Sequence, residues 1–373
     1  RRSSDLLALG TELIWGKGKH LKSLWEKIRG KKPTKKPDSG EKPKTTGENI
    51  IPTVTEFKNL NDAKEYFSGI GINTIFKSGS ERHLSDLNTI KNDLVILEKN
   101  GVALPKPESI IINDWHNEDE LKQIMLSLNI KKENADYCHN ATWAWGTVER
   151  GTDNKCYVFI NSSFDGNYGR FIHEMGHIHQ DYLRTSYWHS KGLSDKEFLE
   201  KQMEVLGLSD IGLHEDGINM IIRDFENQHN PCTPSILRGY DGSIATNRVK
   251  DKFRQMFPDI SNESDYEKLF TIFGKDGKTY VINAKKMVDR MASESRVYAP
   301  SKAWENTAEI FQGLNKGEEY SDLVMLMYDI CGGGRVPNLI IKGKKYDEYI
   351  ELLYNNQDLI RQLRECIEVK ELV

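Results

Sequence analysis

The chain has 373 residues, of which 38% are hydrophobic and 29% charged, so it is long enough for one large domain or two ordinary ones. No run approaches the roughly 18 consecutive apolar residues that a membrane span requires. Residues 1–50 carry 13 Lys and Arg against 6 Asp and Glu, a net charge of +7, which leaves −11 on the remainder. A basic segment ahead of an acidic body argues against a general nucleic-acid-binding protein.

The basic N-terminal part divides into two pieces. Residues 4–28 have the pattern of a basic amphipathic helix, which could lie weakly on an anionic membrane surface or dock on a neighbouring domain. Three interrupting glycines, each costing roughly 1 kcal/mol relative to Ala, favour docking. Residues 30–49 are rich in Pro, Gly and Lys and predict a linker. We therefore expect a segment and linker over 1–49 and a folded domain over 50–373. The apolar stripe of the helix consists of Leu21, Leu24, Trp25 and Ile28.

The pattern of the body predicts an α+β fold. Apolar periodicity favours helices at 59–72, 81–102 and 170–182, over most of 190–260, and from about 284 onward. The run SIIIN predicts a strand at 109–113. Two β-prone pairs of runs predict hairpins at 141–163 and 269–283, the second with Asp276-Gly277 in its turn.

The cysteines do not indicate a chemical site. The five cysteines are scattered and form no CxxC pair, so we expect reduced, buried thiols rather than a disulfide framework or a thiolate metal site.

The strongest chemical signal is HExxH, formed by His173, Glu174 and His177. Positions i and i+4 share one face of a helix, so both imidazoles could reach one metal ion at about 2.0–2.1 Å. Glu174 would lie beside them as the general base. Gly176 would let another element approach closely, whereas His179 points away from the ligand face. A packed core helix with satisfied histidines is the alternative interpretation.

Two histidines leave a catalytic zinc site one protein ligand short. The longer HExxHxxGxxH pattern is excluded, because Gln180 and Leu183 occupy the positions of its glycine and third histidine. Two glutamates remain as candidates: Glu197, in a charged stretch, and Glu305, in WENTAEIF. We favour Glu305, since Glu309 follows it at i+4 and could orient a histidine while Glu305 binds the metal. The apolar residues around this pair predict that both acids are buried.

Two segments of the chain resemble the anthrax lethal factor and Pro-Pro endopeptidase family of zinc metallopeptidases. They are HEMGHIHQDY (173–182) and the run from Tyr298 through six residues to ENTAEIF, which begins at Glu305. The resemblance implies a zincin-like fold with a small mixed sheet and an active-site helix. It also implies one zinc ion held by His173, His177 and Glu305. The family's shorter spacing implies a largely helical insertion at about 188–290.

The same resemblance implies roles for further residues. Tyr298 would donate its hydroxyl to the oxyanion of the tetrahedral intermediate, and Glu309 would support the zinc ligands. The strand at 156–161 would be the edge strand that pairs with an extended substrate, although an interior strand is the alternative. Its substrate-binding residues would be Tyr157, Val158, Phe159 and Ile160.

The sequence thus favours a zinc endopeptidase acting on a protein or peptide substrate. Because family members are commonly secreted toxins or exported bacterial proteases, the resemblance also implies export and a toxin or effector role. One alternative is a zinc hydrolase of non-peptide substrates, since HExxH does not name the substrate. Another is a non-catalytic binding module on the same scaffold, which would require neither Glu174 nor Tyr298.

Overall fold

The computed structural model describes residues 55–76, 81–102, 107–115, 118–139, 146–153, 155–162, 170–182, 187–226, 235–237, 247–295 and 303–372. The basic segment and linker over 1–49 lie outside these residues. Helices alternate with short strands through the described chain, so the protein is α+β, as predicted. No helix in the described ranges is long and apolar enough to cross a membrane.

A four-stranded mixed sheet lies next to the HExxH helix. Its strand order is β1-β2-β4-β3, with β1, β2 and β4 parallel and β3 antiparallel to β4. The predicted strand at 109–113 is confirmed, and the predicted hairpin is confirmed over its described strands, 146–150 and 156–161. The strands are β1 (Asn73–Phe76), β2 (Ser109–Asn113), β3 (Gly146–Arg150) and β4 (Cys156–Asn161).

Strand β4 is interior, so the prediction that it forms the substrate-binding edge is wrong. It is hydrogen-bonded to β2 on one side and to β3 on the other, and all six of its residues are buried. A continuous apolar run is typical of a strand covered on both faces, which explains the sequence CYVFIN. The four residues proposed to bind substrate, which are Tyr157, Val158, Phe159 and Ile160, therefore have no free backbone edge.

Alternate residues of β2 and β4 face two different apolar clusters. Ile110, Ile112, Val158 and Ile160 join the main core, and Ile111, Tyr157 and Phe159 join a smaller cluster around Trp115. This alternation is the period of two expected for a strand. Helix α1 (Leu60–Gly69) precedes β1, and the helices between the strands are α2 (Glu81–Lys99), α3 (Glu118–Ser127) and α4 (Lys132–His139).

The HExxH segment forms α5 (Arg170–Tyr182), and a largely helical region follows it. Strands β5 (Leu269–Phe273) and β6 (Thr279–Asn283) form the predicted second hairpin, in which Gly277 has φ +79° at the turn. Leu199, Met203 and Met287 from this region belong to the main core, so the range predicted as an insertion packs as part of the same body. Its elements are α6 (Tyr187–Ser190), α7 (Asp195–Val205), α8 (Glu215–Glu226), α9 (Asn247–Met256), α10 (Glu263–Tyr266), β5 (Leu269–Phe273), β6 (Thr279–Asn283) and α11 (Lys285–Glu294).

The C-terminal part completes the core. Helix α12 (Ala303–Asn315) packs directly against α5. The last strand pairs with β6 and extends the second sheet to the order β5-β6-β9. The elements are α12 (Ala303–Asn315), α13 (Asp322–Ile330), β7 (Ile340–Ile341), β8 (Lys344–Lys345), α14 (Tyr346–Asn355), α15 (Gln357–Glu365) and β9 (Glu368–Glu371).

Candidate metal centre

Helix α5 is held in place at its start. The Arg170 Nη1 donates to the backbone oxygen of Asn161, 2.9 Å away, which ties the first turn to the end of β4. The backbone N–H of Ile172 in that turn donates to the carboxyl group of Asp93 on α2. First-turn N–H groups have no partner within their own helix, so Asp93 acts as a cap supplied from a distant part of the chain. The apolar face of α5 is fully buried, and it comprises Phe171, Ile172, Met175 and Ile178.

Helix α12 approaches α5 at two small residues. A Cβ atom added at Gly176 would lie 3.1 Å from the Cα of Ala308, closer than usual, so the glycine favours the close approach of α12, as predicted. His173 and His177 lie three residues before and one after Gly176, on the same face of α5. Glu305 and Glu309 have the same relation to Ala308 on α12. The close contact therefore brings the two pairs of polar side chains together.

Three of these side chains meet at one point. The Nε2 atoms of His173 and His177 are 3.1 Å apart. The Oε2 of Glu305 lies 3.4 Å from the first Nε2 and 3.5 Å from the second. Within the described part of the chain, this is the group of histidine, cysteine and acidic side chains that could hold a metal ion.

This triangle fits a catalytic zinc site. With zinc–ligand distances of about 2.0–2.1 Å and tetrahedral angles, ligand atoms should be separated by roughly 3.3 Å. The three observed separations, 3.1, 3.4 and 3.5 Å, lie around that value. Two imidazoles and one carboxylate are also a donor set that zinc enzymes use, with the fourth position left for water or substrate.

Glu309 lies beside the His173 ring, on the side opposite the triangle. Its Oε1 is 3.2 Å from the Nδ1 of His173, the ring nitrogen on the opposite side from the triangle. A carboxylate at Nδ1 favours the tautomer that carries its proton there, which leaves Nε2 with a lone pair for a metal. Glu309 is therefore placed to orient a ligand, the role suggested by its i+4 relation to Glu305.

Both acids of α12 were predicted to be buried, but only Glu309 is largely buried. The side chain of Glu309 is only 11% exposed, in agreement with the prediction, but that of Glu305 is 38% exposed. Glu305 is therefore partly exposed to solvent, whereas Glu309 is enclosed. Trp304, expected to be part of the apolar surround, is likewise 38% exposed.

His173 and Glu305 shift each other's pKa. Burial alone would lower the pKa of His173, but its contacts with Glu305 and Glu309 outweigh burial and raise that pKa well above the ordinary value. Burial alone would raise the pKa of Glu305, but His177 and His173 outweigh it and hold that pKa well below its usual range. The Glu305 carboxylate thus stays ionised, and a metal that binds must displace a proton from His173.

Glu174 is the buried acid beside the triangle. It is 6% exposed, and burial raises its pKa in spite of the opposing effect of His173 and His177. A carboxylate whose pKa is raised accepts a proton more readily near neutral pH. Its environment is therefore suited to the general base predicted from HExxH.

The remaining candidates lie elsewhere. His179 is 2% exposed and packs on the ring of Phe311, and burial lowers its pKa to about 4, as expected for a residue off the ligand face. Glu197 forms a capping box with Ser194 at the start of α7, and its carboxylate is used there rather than at the triangle. Tyr298 lies outside the described residues.

Strand β3 contributes a residue that the sequence analysis did not identify. A Cβ atom added at Gly146 would lie 2.9 Å from the Oε1 of Glu174 and 3.1 Å from the backbone oxygen of Phe159. The first residue of the sheet's outer strand therefore adjoins the candidate base. A glycine that opens a β-prone run was the available signal, because such a glycine often marks a close approach.

Comparison of the chain with protein-family models, with curated proteins and with solved structures gives no match.

Proposed function

We propose that this chain is a zinc-dependent endopeptidase with a zincin-like fold that hydrolyses peptide bonds of a protein substrate. The observation that carries the proposal is the triangle of His173, His177 and Glu305, with Glu174 buried beside it. A zinc ion bound there would supply Lewis acidity and lower the pKa of a water molecule toward about 7.

The residues around the triangle have separate tasks in this proposal. Glu174 takes a proton from the attacking water and passes it to the leaving amine, which a buried carboxylate with a raised pKa favours. Glu309 holds His173 in the tautomer that presents Nε2. Tyr298, by resemblance, donates a hydrogen bond to the developing oxyanion.

Strand β3 replaces β4 as the proposed substrate strand. It lies at the outer edge of the sheet among the described residues, and its first residue adjoins the Glu174 carboxylate. An extended peptide that pairs with an edge strand gains main-chain hydrogen bonds irrespective of its sequence. This arrangement favours a polypeptide substrate over a small ester or amide.

A direct test compares wild-type protein with Glu174→Gln. Both should bind one equivalent of zinc, whereas only the wild type should cleave a denatured proteome analysed by mass spectrometry of new termini. Glu200→Gln, at an exposed position on α7, serves as the matched control and should cleave like wild type. Cleavage by Glu174→Gln at the wild-type sites would disprove the general-base role, and a wild type that binds no zinc would disprove the site.

A further inference from the structure

The two oxygens of the Glu305 carboxylate have different partners. Oε2 faces the two histidines, at 3.4 and 3.5 Å. Oε1 accepts a hydrogen bond from the indole Nε1 of the neighbouring Trp304, 3.1 Å away. The indole N–H can only donate a hydrogen bond. Oε1 is therefore the oxygen that accepts from Trp304, and Oε2 is the oxygen that faces the triangle.

Trp304 is more exposed than its neighbours on α12. Its side chain is 38% exposed, whereas Ala303 and Thr307 in the same helical turn are buried. The Thr307 hydroxyl donates to the Trp304 carbonyl oxygen at 2.6 Å, which adds a hydrogen bond to this turn of the helix. A large aromatic ring held at the surface beside an ionised acid is placed to donate its N–H group.

We propose that Trp304 is a positioning residue that keeps Glu305 a one-oxygen metal ligand. The inference rests on the proposed zinc site and assigns a role within it. A carboxylate with both oxygens free can bind a metal through both, and the second oxygen would then compete for the position that water or substrate needs. The indole N–H occupies Oε1 and so preserves that open position.

The test uses the full chain and three substitutions. Trp304→Phe keeps a ring but removes the N–H, and Trp304→Gln keeps an N–H donor without the ring. Trp188→Phe, at a tryptophan that packs on Tyr354 in another part of the molecule, controls for the loss of an indole. Metal affinity is measured by competition with a zinc chelator, and coordination is followed by the visible spectrum after cobalt is bound in place of zinc.

For Trp304→Phe we expect about tenfold weaker zinc binding, the lower end of the range for residues that support metal ligands. We also expect weaker visible cobalt bands, because a two-oxygen Glu305 raises the coordination number from four to five. Trp304→Gln should recover much of both signals, and Trp188→Phe should match wild type.

Two results would overturn this role. They are wild-type affinity and cobalt spectrum in Trp304→Phe, and equal losses in the Phe and Gln variants. In each case wild type still binds metal, so the proposed function stands. If wild type binds no metal, the proposed function fails, and the role of Trp304 fails with it.

Discussion

Asp93 should make the stability of the protein depend on pH. Its side chain is 3% exposed, and burial raises its pKa from 3.8 to about 7, in spite of attraction to Lys316 and the hydrogen bond from Ile172. The folded state therefore binds a proton that the unfolded state releases at lower pH. The associated stability is fully present below pH 3.8 and is lost as the pH rises through about 7.

The size of the effect follows from the two pKa values. At about 1.4 kcal/mol per pH unit, the complete shift corresponds to about 4 kcal/mol. Between pH 5 and pH 8 the free energy of unfolding should fall by roughly 2–3 kcal/mol on account of this group alone. Asp93→Asn has the same shape and cannot titrate. Between pH 5 and pH 8, its free energy of unfolding should therefore rise by that amount relative to that of wild type.

Urea unfolding at pH 5 and pH 8, followed by circular dichroism, measures the difference between the two proteins at each pH. Because the other titrating groups are common to both, their contributions cancel. Asp210→Asn, at an exposed position, is the control. Its free energy of unfolding should differ from that of wild type by the same amount at both pH values. If Asp93→Asn also showed an unchanged difference, a buried, proton-binding Asp93 would be refuted.

Three further predictions concern the site itself. Glu305→Gln should weaken zinc binding, measured by chelator competition, far more than Glu197→Gln, and the reverse order would exclude the third ligand chosen here. Tyr298→Phe should lower kcat by about 10²–10³, the effect of one oxyanion donor, and an unchanged kcat would leave the tyrosine a structural role. Gly146→Ala should displace the base beside it and lower kcat by roughly tenfold or more with zinc binding intact, whereas wild-type kcat would show that the edge strand tolerates a Cβ there.

The local parts of the site were predictable from the sequence. Two histidines at i and i+4 must share a face once the segment is helical, and Gly176 indicated the close approach of a second helix. The preference for Glu305 over Glu197 followed from the apolar residues near one and the charges near the other. Ser194 and Glu197 also match a capping box, a signal that accounts for Glu197 without a metal.

The parts that depend on distant contacts were not predictable in the same way. Both runs of the hairpin at 141–163 favour strands, and their own sequences do not say what pairs beyond them. Pairing with the distant strand β2 places β4 inside the sheet and leaves β3 as its outer neighbour. The apolar run CYVFIN fits burial on both faces but does not name that second partner. Asp93 reaches α5 from another helix, and no local pattern marks such a cap.

The joining of α5 and α12 has a consequence for biosynthesis. At roughly 5–20 residues per second, the 128 residues between His177 and Glu305 take about 6–26 s to translate. Throughout that interval the nascent chain has two imidazoles and the base but lacks the third ligand. In the proposed function, a polypeptide that stops before Glu305 has no complete site, so a ribosome that stalls in this region releases an inert fragment rather than an unregulated protease.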